Sequence, residues 1–212
     1  VNVALVSKIQ HRAVDAIENA QLVHGPWPHL EIQDFLPWDF YAELLAHWPT
    51  EGWKELVYPD QRKPDGSYRR QQLMLSELDV LPELLEALRS PTFHAATFDR
   101  LNLDRSLKAH PFPMLVDDEP GYWIRQHPDT TTKIVTLQIF LPEDDSTPEM
   151  GTELVGPFVD TVPFLPNSGY AFHPTRETIH QVRQGMCEHR RRSIMVIWYD
   201  SDAPNISYFK KR

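Results

Sequence analysis

The stretch Ile124-Arg125-Gln126-His127-Pro128-Asp129, running into Lys133-Ile134-Val135-Thr136-Leu137-Gln138-Ile139-Phe140-Leu141, decides how this chain is read. The second segment is strand-like, apolar and β-branched. The first ends in a His and an Asp two residues apart. On an extended segment such residues point to the same side. His180 follows 51 residues after Asp129, in Ile179-His180-Gln181-Val182. Two imidazoles and one carboxylate on facing strands can cap one side of an octahedral metal and leave its other positions open.

Outward from this stretch, strand-length segments recur between Pro, Gly, Asp and Ser clusters. They cover 112–116, 121–126, 133–141, 152–155, 158–164, 169–173, 179–183 and 192–199. Eight short strands at this spacing predict a sandwich or jelly roll. The first half reads differently. Apolar positions Val3, Val6, Ile9, Ala13 and Ile17 repeat at helical spacing. A strand over 30–35 precedes a helix over 36–48, with Pro37 in its first turn and Pro49 at its exit. Residues 50–67 read as a loop and 71–75 as a strand. Ser76 is expected to cap a helix running to Leu88, with Asp79 at capping-box spacing, and Ser90-Pro91 to open another. Helices first and strands second give an α+β chain, read as a single domain over 1–212 with a mainly helical region, 1–110, supporting a β core over 111–200.

The order of these motifs resembles the Fe(II)/2-oxoglutarate dioxygenase superfamily, in particular its prolyl-hydroxylase-like branch. The resemblance covers roughly 111–200 and rests on His127-Pro128-Asp129, His180-Gln181-Val182 and an Arg opening a strand that ends in Trp198-Tyr199. It implies a double-stranded β-helix, with His127, Asp129 and His180 as ligands of Fe(II). His110, His173 and His189 compete for the third ligand position on residue type alone, and the resemblance selects His180, because it places His173 on the strand entering the turn. It also implies 2-oxoglutarate as cosubstrate, O2 as oxidant, ascorbate as a stimulant, and succinate and CO2 as products. A retained carboxylate at Asp129 argues against halogenation.

A guanidinium fork matches the distal carboxylate of the 2-oxo acid. Arg190-Arg191-Arg192 offers three, and alternation places Arg190 and Arg192 with Ile194, Val196 and Trp198, and Arg191 with Ser193, Met195, Ile197 and Tyr199. The family's spacing of six residues before Trp198-Tyr199 selects Arg192. The chain departs from its relatives at Phe140, where a Tyr hydroxyl is expected, and at Val196, where a Thr or Ser is common. Thr136 and Gln138, on the face of Phe140, are the candidate replacements. Arg125, Tyr122, Trp123 and Trp198 are candidate substrate-binding residues, Arg125 because simple alternation aims it with His127; a structural salt bridge or core packing is the alternative for each.

Hydrophobic residues are 41% and charged residues 24% of 212, with a net charge of −9. An acidic chain opposes nucleic-acid binding, which needs a basic face. No apolar run approaches the ~20 residues of a membrane span, and Val1–Lys8 lacks a leader's basic and apolar regions. One Cys, Cys187, forms no internal disulfide and fits a cytoplasmic protein. Glu143-Asp144-Asp145-Ser146-Thr147-Pro148-Glu149 lacks the pattern of a calcium loop and reads as a solvated tip. The expected activity is hydroxylation of an amino acid, a peptidyl residue or a small metabolite. The rival readings are a β-helix protein that binds ligand or metal without turnover, and a metal dioxygenase that uses no 2-oxo acid. No motif specifies an oligomeric state.

Overall fold

The computed structural model describes residues 1–57, 62–66, 68–76 and 81–201, and among these it forms four α-helices and twelve strands. Helix α1 (Val3–Glu18) starts where the Asn2 side chain accepts from the amides of Ala4 and Leu5, and it buries Ile9, Ala13, Ala16 and Ile17. Strands β1 (Gln21–Val23) and β2 (His29–Ile32), helix α2 (Trp38–Ala46), strands β3 (Lys54–Glu55) and β4 (Arg70–Met74), and helices α3 (Pro82–Arg89) and α4 (Pro91–Arg100) complete the first half. The Ser90 hydroxyl caps α4 by accepting from the Phe93 amide. The helix expected from Ser76 begins instead at Pro82, with Leu81 at its N-cap; Asp79 lies outside the described residues. Proline prefers the first helical turn, where its missing N–H costs nothing.

The second half holds β5 (Ala109–Asp118), β6 (Ile124–His127), β7 (Lys133–Phe140), β8 (Thr152–Val155), β9 (Val159–Val162), β10 (Ser168–Phe172), β11 (Ile179–Val182) and β12 (Arg191–Asp200). Each of the eight expected segments overlaps a strand. All pairings are antiparallel. One sheet runs β1-β2-β10-β7-β12-β5-β4-β3 and the other β6-β11-β8-β9. This is the expected double-stranded β-helix with supporting helices. Beside its helices the first half contributes four strands, β1 to β4, that widen the larger sheet.

Strand alternation divides the larger sheet's residues between two environments. Val135, Leu137 and Ile139 of β7 and Ile194, Val196 and Trp198 of β12 join Ile9, Ile17, Leu84, Leu88, Phe93 and Phe98 of the helices in one core. The other parity, Thr136, Gln138 and Phe140 with Arg191, Ser193, Met195 and Ile197, faces the smaller sheet. The register fixes this, since Ser193, Met195 and Ile197 pair with Phe140, Gln138 and Thr136. Gly169 is required where β10 meets β7: a Cβ there would lie 1.9 Å from the Gln138 carbonyl oxygen.

Candidate metal and oxo-acid site

A cavity of about 340 Å³ opens between the two sheets. His127, at the end of β6, and His180, on β11, are directly opposed in register, and their rings lie 4.5 Å apart. Asp129 follows in the turn before β7. One ligand atom from each of the three lies within 4.8 Å of the other two. His173 is exposed and its Nδ1 donates to the Ile134 carbonyl, so it takes no part in this group.

The surroundings of the three groups suit a divalent ion. The Nδ1 of His127 lies 2.8 Å from the Arg125 carbonyl and that of His180 lies 3.1 Å from the Thr178 carbonyl. A carbonyl only accepts, so each Nδ1 carries the proton and each Nε2 keeps its lone pair, as second-shell bonds impose on metal-binding imidazoles. Burial pushes His180 down to about 4, against the opposing Asp129 charge, so it is neutral at pH 7. For Asp129 burial acts upward, but Lys133, His180 and the Lys133 and Thr136 hydrogen bonds outweigh it and hold the carboxyl below its usual range. Thr136 Oγ1 donates to Asp129 Oδ2 at 2.7 Å, and Lys133 ion-pairs with Oδ1.

The deepest cation in the cavity is Arg191. Its side chain is 0% exposed. The guanidinium donates to the Met150 carbonyl (2.8 Å), Thr152 Oγ1 (3.0 Å) and Asp118 Oδ2 (3.1 Å), and it lies over the Phe140 ring at 4.9 Å. Thr136, Gln138, Thr152 and Tyr170 line the same cavity. The Tyr170 hydroxyl donates to Gln138 Oε1 at 3.2 Å and Gln138 Nε2 to Ser193 Oγ at 2.9 Å.

The structure places four of the sequence candidates, Arg192, Trp198, Arg125 and Trp123, outside the cavity lining. Arg192 lies on the opposite face of β12, over the Trp48 ring at 5.0 Å and near Asp117 and Glu143. The cause is parity: Ile194, Val196 and Trp198 form the apolar side that packs on the helices, and Arg192 shares it. Trp198 is turned away for the same reason and bonds His94 Nδ1 from its indole N–H at 3.0 Å. Arg125 is exposed and outside the cavity lining. Here β6 takes three residue steps, from Ile124 to His127, against the two of β11, from Val182 to His180. Such a bulge breaks simple alternation. Tyr122 does line the cavity; Trp123 is half-buried and does not. Tyr122 is delivered by a turn in which Gly121 has φ +82 and Tyr122 N–H donates to the Glu119 carbonyl. Sequence reading missed Lys133, Tyr170, Asp118 and Arg70. Their places are set by strand pairing, and no motif in the sequence marks them.

No family model and no curated protein matches the chain by sequence. Comparison with solved structures does find relatives in shape. A prolyl hydroxylase from Trichoplax adhaerens, in complex with a hypoxia-inducible-factor oxygen degradation domain peptide fragment, is similar over 94% of each chain with TM-score 0.62 and 13% identity. This chain has the prolyl-hydroxylase fold. A prolyl-4-hydroxylase from Pseudomonas putida is similar over 90% of this chain and 99% of its own, with TM-score 0.61 and 15% identity. EvdO2 from Micromonospora carbonacea var. aurantiaca, complexed with 2-oxoglutarate, is similar over 90% and 91%, with TM-score 0.55 and 14% identity. Among the described residues no helix is long and apolar enough to cross a membrane.

Proposed function

We propose that this chain is an Fe(II)/2-oxoglutarate-dependent dioxygenase that hydroxylates an amino acid, a peptidyl residue or a small metabolite and releases succinate and CO2. The observation that carries the reading is the meeting of His127, Asp129 and His180 within 4.8 Å, in the cavity that also contains the fully buried Arg191. Supporting it, two structures of the same fold are prolyl hydroxylases and another holds 2-oxoglutarate.

His127, Asp129 and His180 would hold the metal, with Nε2 of each imidazole presented by its Nδ1 bond to a backbone carbonyl. When bound, iron and the 2-oxo acid supply an oxidant able to remove hydrogen from carbon and return hydroxyl. Arg191, not Arg192, would receive the far carboxylate of 2-oxoglutarate, with Thr152, Gln138 and Tyr170 as polar neighbours. Thr136 steadies Asp129. Tyr122, Met195, Ile197 and Tyr199 form walls that limit water around the reacting atoms. The Trichoplax relative was solved with a peptide, and a peptidyl or similarly small substrate is proposed here too.

Succinate formation with Fe(II), ascorbate and 2-oxoglutarate, screened across amino acids and short peptides, tests the activity. No succinate under any condition would support ligand binding without turnover, and turnover independent of 2-oxoglutarate would support the dioxygenase rival. Anaerobic iron stoichiometry tests the ligands: His180→Ala should lose iron and His173→Ala should retain it.

A further inference from the structure

Across three neighbouring strands of the larger sheet, one row of the cavity face reads Arg70, Asp118, Arg191. Arg70 and Arg191 are both register partners of Asp118, from β4 and β12 on either side of β5. Asp118 and Arg191 are 0% exposed in their side chains and Arg70 is 11% exposed. Both guanidiniums line the cavity.

The sharing is unequal. Arg70 holds Asp118 with a two-pronged fork, Nε to Oδ1 at 2.6 Å and Nη2 to Oδ2 at 2.8 Å. Arg191 makes a single longer bond to Oδ2, at 3.1 Å, and turns its other donors to a carbonyl and a hydroxyl, which are neutral. Arg70 is also fixed from its face, stacked over the Tyr122 ring at 4.4 Å. Bidentate Arg–carboxylate pairs are the stronger kind. The Asp118 charge is therefore committed mainly to Arg70, and the Arg191 cation is only partly neutralised. A buried cation in that condition is costly until an anion joins it.

We propose that Arg70 is a positioning residue for the anion subsite: by engaging Asp118 it keeps Arg191 cationic and turned to the cavity, ready for the far carboxylate of a 2-oxo dicarboxylate. The inference rests on the reading of the cavity as a 2-oxoglutarate site. Without Arg70, Asp118 would close onto Arg191 as a one-to-one ion pair, and the incoming carboxylate would meet a neutralised partner.

The test is calorimetric binding of 2-oxoglutarate to the Co(II)-loaded protein, with Co(II) uptake followed separately by its visible absorption. Arg70→Met should bind Co(II) normally and 2-oxoglutarate about tenfold or more weakly, because the net charge beside the ligand falls by one. Arg70→Met with Asp118→Asn removes the competing carboxylate, and affinity should return to within about threefold of wild type. Unchanged affinity in Arg70→Met overturns the proposal, and so does a loss that Asp118→Asn fails to rescue, since lost packing would behave that way. If Arg70→Met does not fold, Arg70→Lys carries the test. It keeps the charge without the fork and should weaken binding by less than about threefold; a loss of about tenfold with Co(II) uptake intact overturns the charge argument. Wild-type protein that takes up Co(II) but no 2-oxoglutarate would sink the cosubstrate reading itself, and this inference with it.

Discussion

Two adjacent arginines at the start of β12 have opposite fates. Arg191 is enclosed in the cavity that the candidate metal ligands also line, whereas Arg192 lies on the helix-facing side over Trp48. Removing Arg191 should therefore remove the distal-carboxylate partner, and Arg191→Met should raise the KM for 2-oxoglutarate by about tenfold or more. Arg192→Met should change it by less than about threefold. Steady-state succinate formation measures both, and the reverse order would restore the family-derived register. His180 gives a second expectation. Its folded value of about 4 lies below the ordinary 6.5. Between these values the unfolded chain binds a proton that the folded one refuses, so stability is lost as pH falls from about 6.5 to about 4. Asp129, also held low, withdraws its contribution only as pH falls below its ordinary 3.8. His94, likewise lowered by burial and His110, adds to the same slope. Subtraction isolates His180. In chelator-treated protein unfolded by urea, His180→Gln should be less sensitive to pH between 6.5 and 5 than wild type. Equal slopes would refute the burial argument.

At the level of elements, the eight strands of the second half were legible because Pro, Gly and Asp punctuate apolar segments that are short and β-branched. The faces of those strands were harder. In β12 both parities carry apolar residues and an Arg, and only the pairing with β7 shows which side meets the helices. A motif distance to Trp198-Tyr199 chose the other side. Arg125 went astray for a different reason: the bulge in β6 shifts alternation by one, and nothing in Ile124-Arg125-Gln126-His127 announces it. His127 and Asp129 come at or after the end of the bulge and are not displaced by it. Gly169 illustrates a constraint visible only in three dimensions. A methyl group there would meet the Gln138 carbonyl oxygen at 1.9 Å and the Ile139 Cα at 2.8 Å, both backbone and unable to swing aside. Gly169→Ala should force β10 from β7 and cost about 3 kcal/mol or more, which for a chain of this size lowers Tm by about 6–12 °C. Thermal melting followed by circular dichroism decides it, and an unchanged Tm would mean that the two strands can separate without penalty.

For the whole molecule, the governing facts are a net charge of −9 and a cavity whose cations are local and few. Arg70, Lys133 and Arg191 line the cavity, each beside a carboxylate of Asp118 or Asp129. A polyanion approaches the acidic exterior before it reaches any of them, and long-range repulsion lowers its encounter rate. A small anion or zwitterion enters the cavity and meets the cations directly. Volume acts in the same direction. About 340 Å³ is near the lower end of ligand pockets, which run from ~300 to ~1,000 Å³. On the proposed reading it would suit a five-carbon dicarboxylate together with one side chain or a compact metabolite. Sequence composition alone pointed to this scale of substrate; Arg125, first taken as its cation, lies outside the cavity, and the charges inside come from residues whose inward aim only the fold reveals. At about 0.1 M salt, 2-oxoglutarate turnover should rise with selected amino acids or short peptides and stay at the uncoupled level with oligonucleotides at matched concentration. Stimulation by oligonucleotides alone would overturn this expectation and would require a route past the negative exterior.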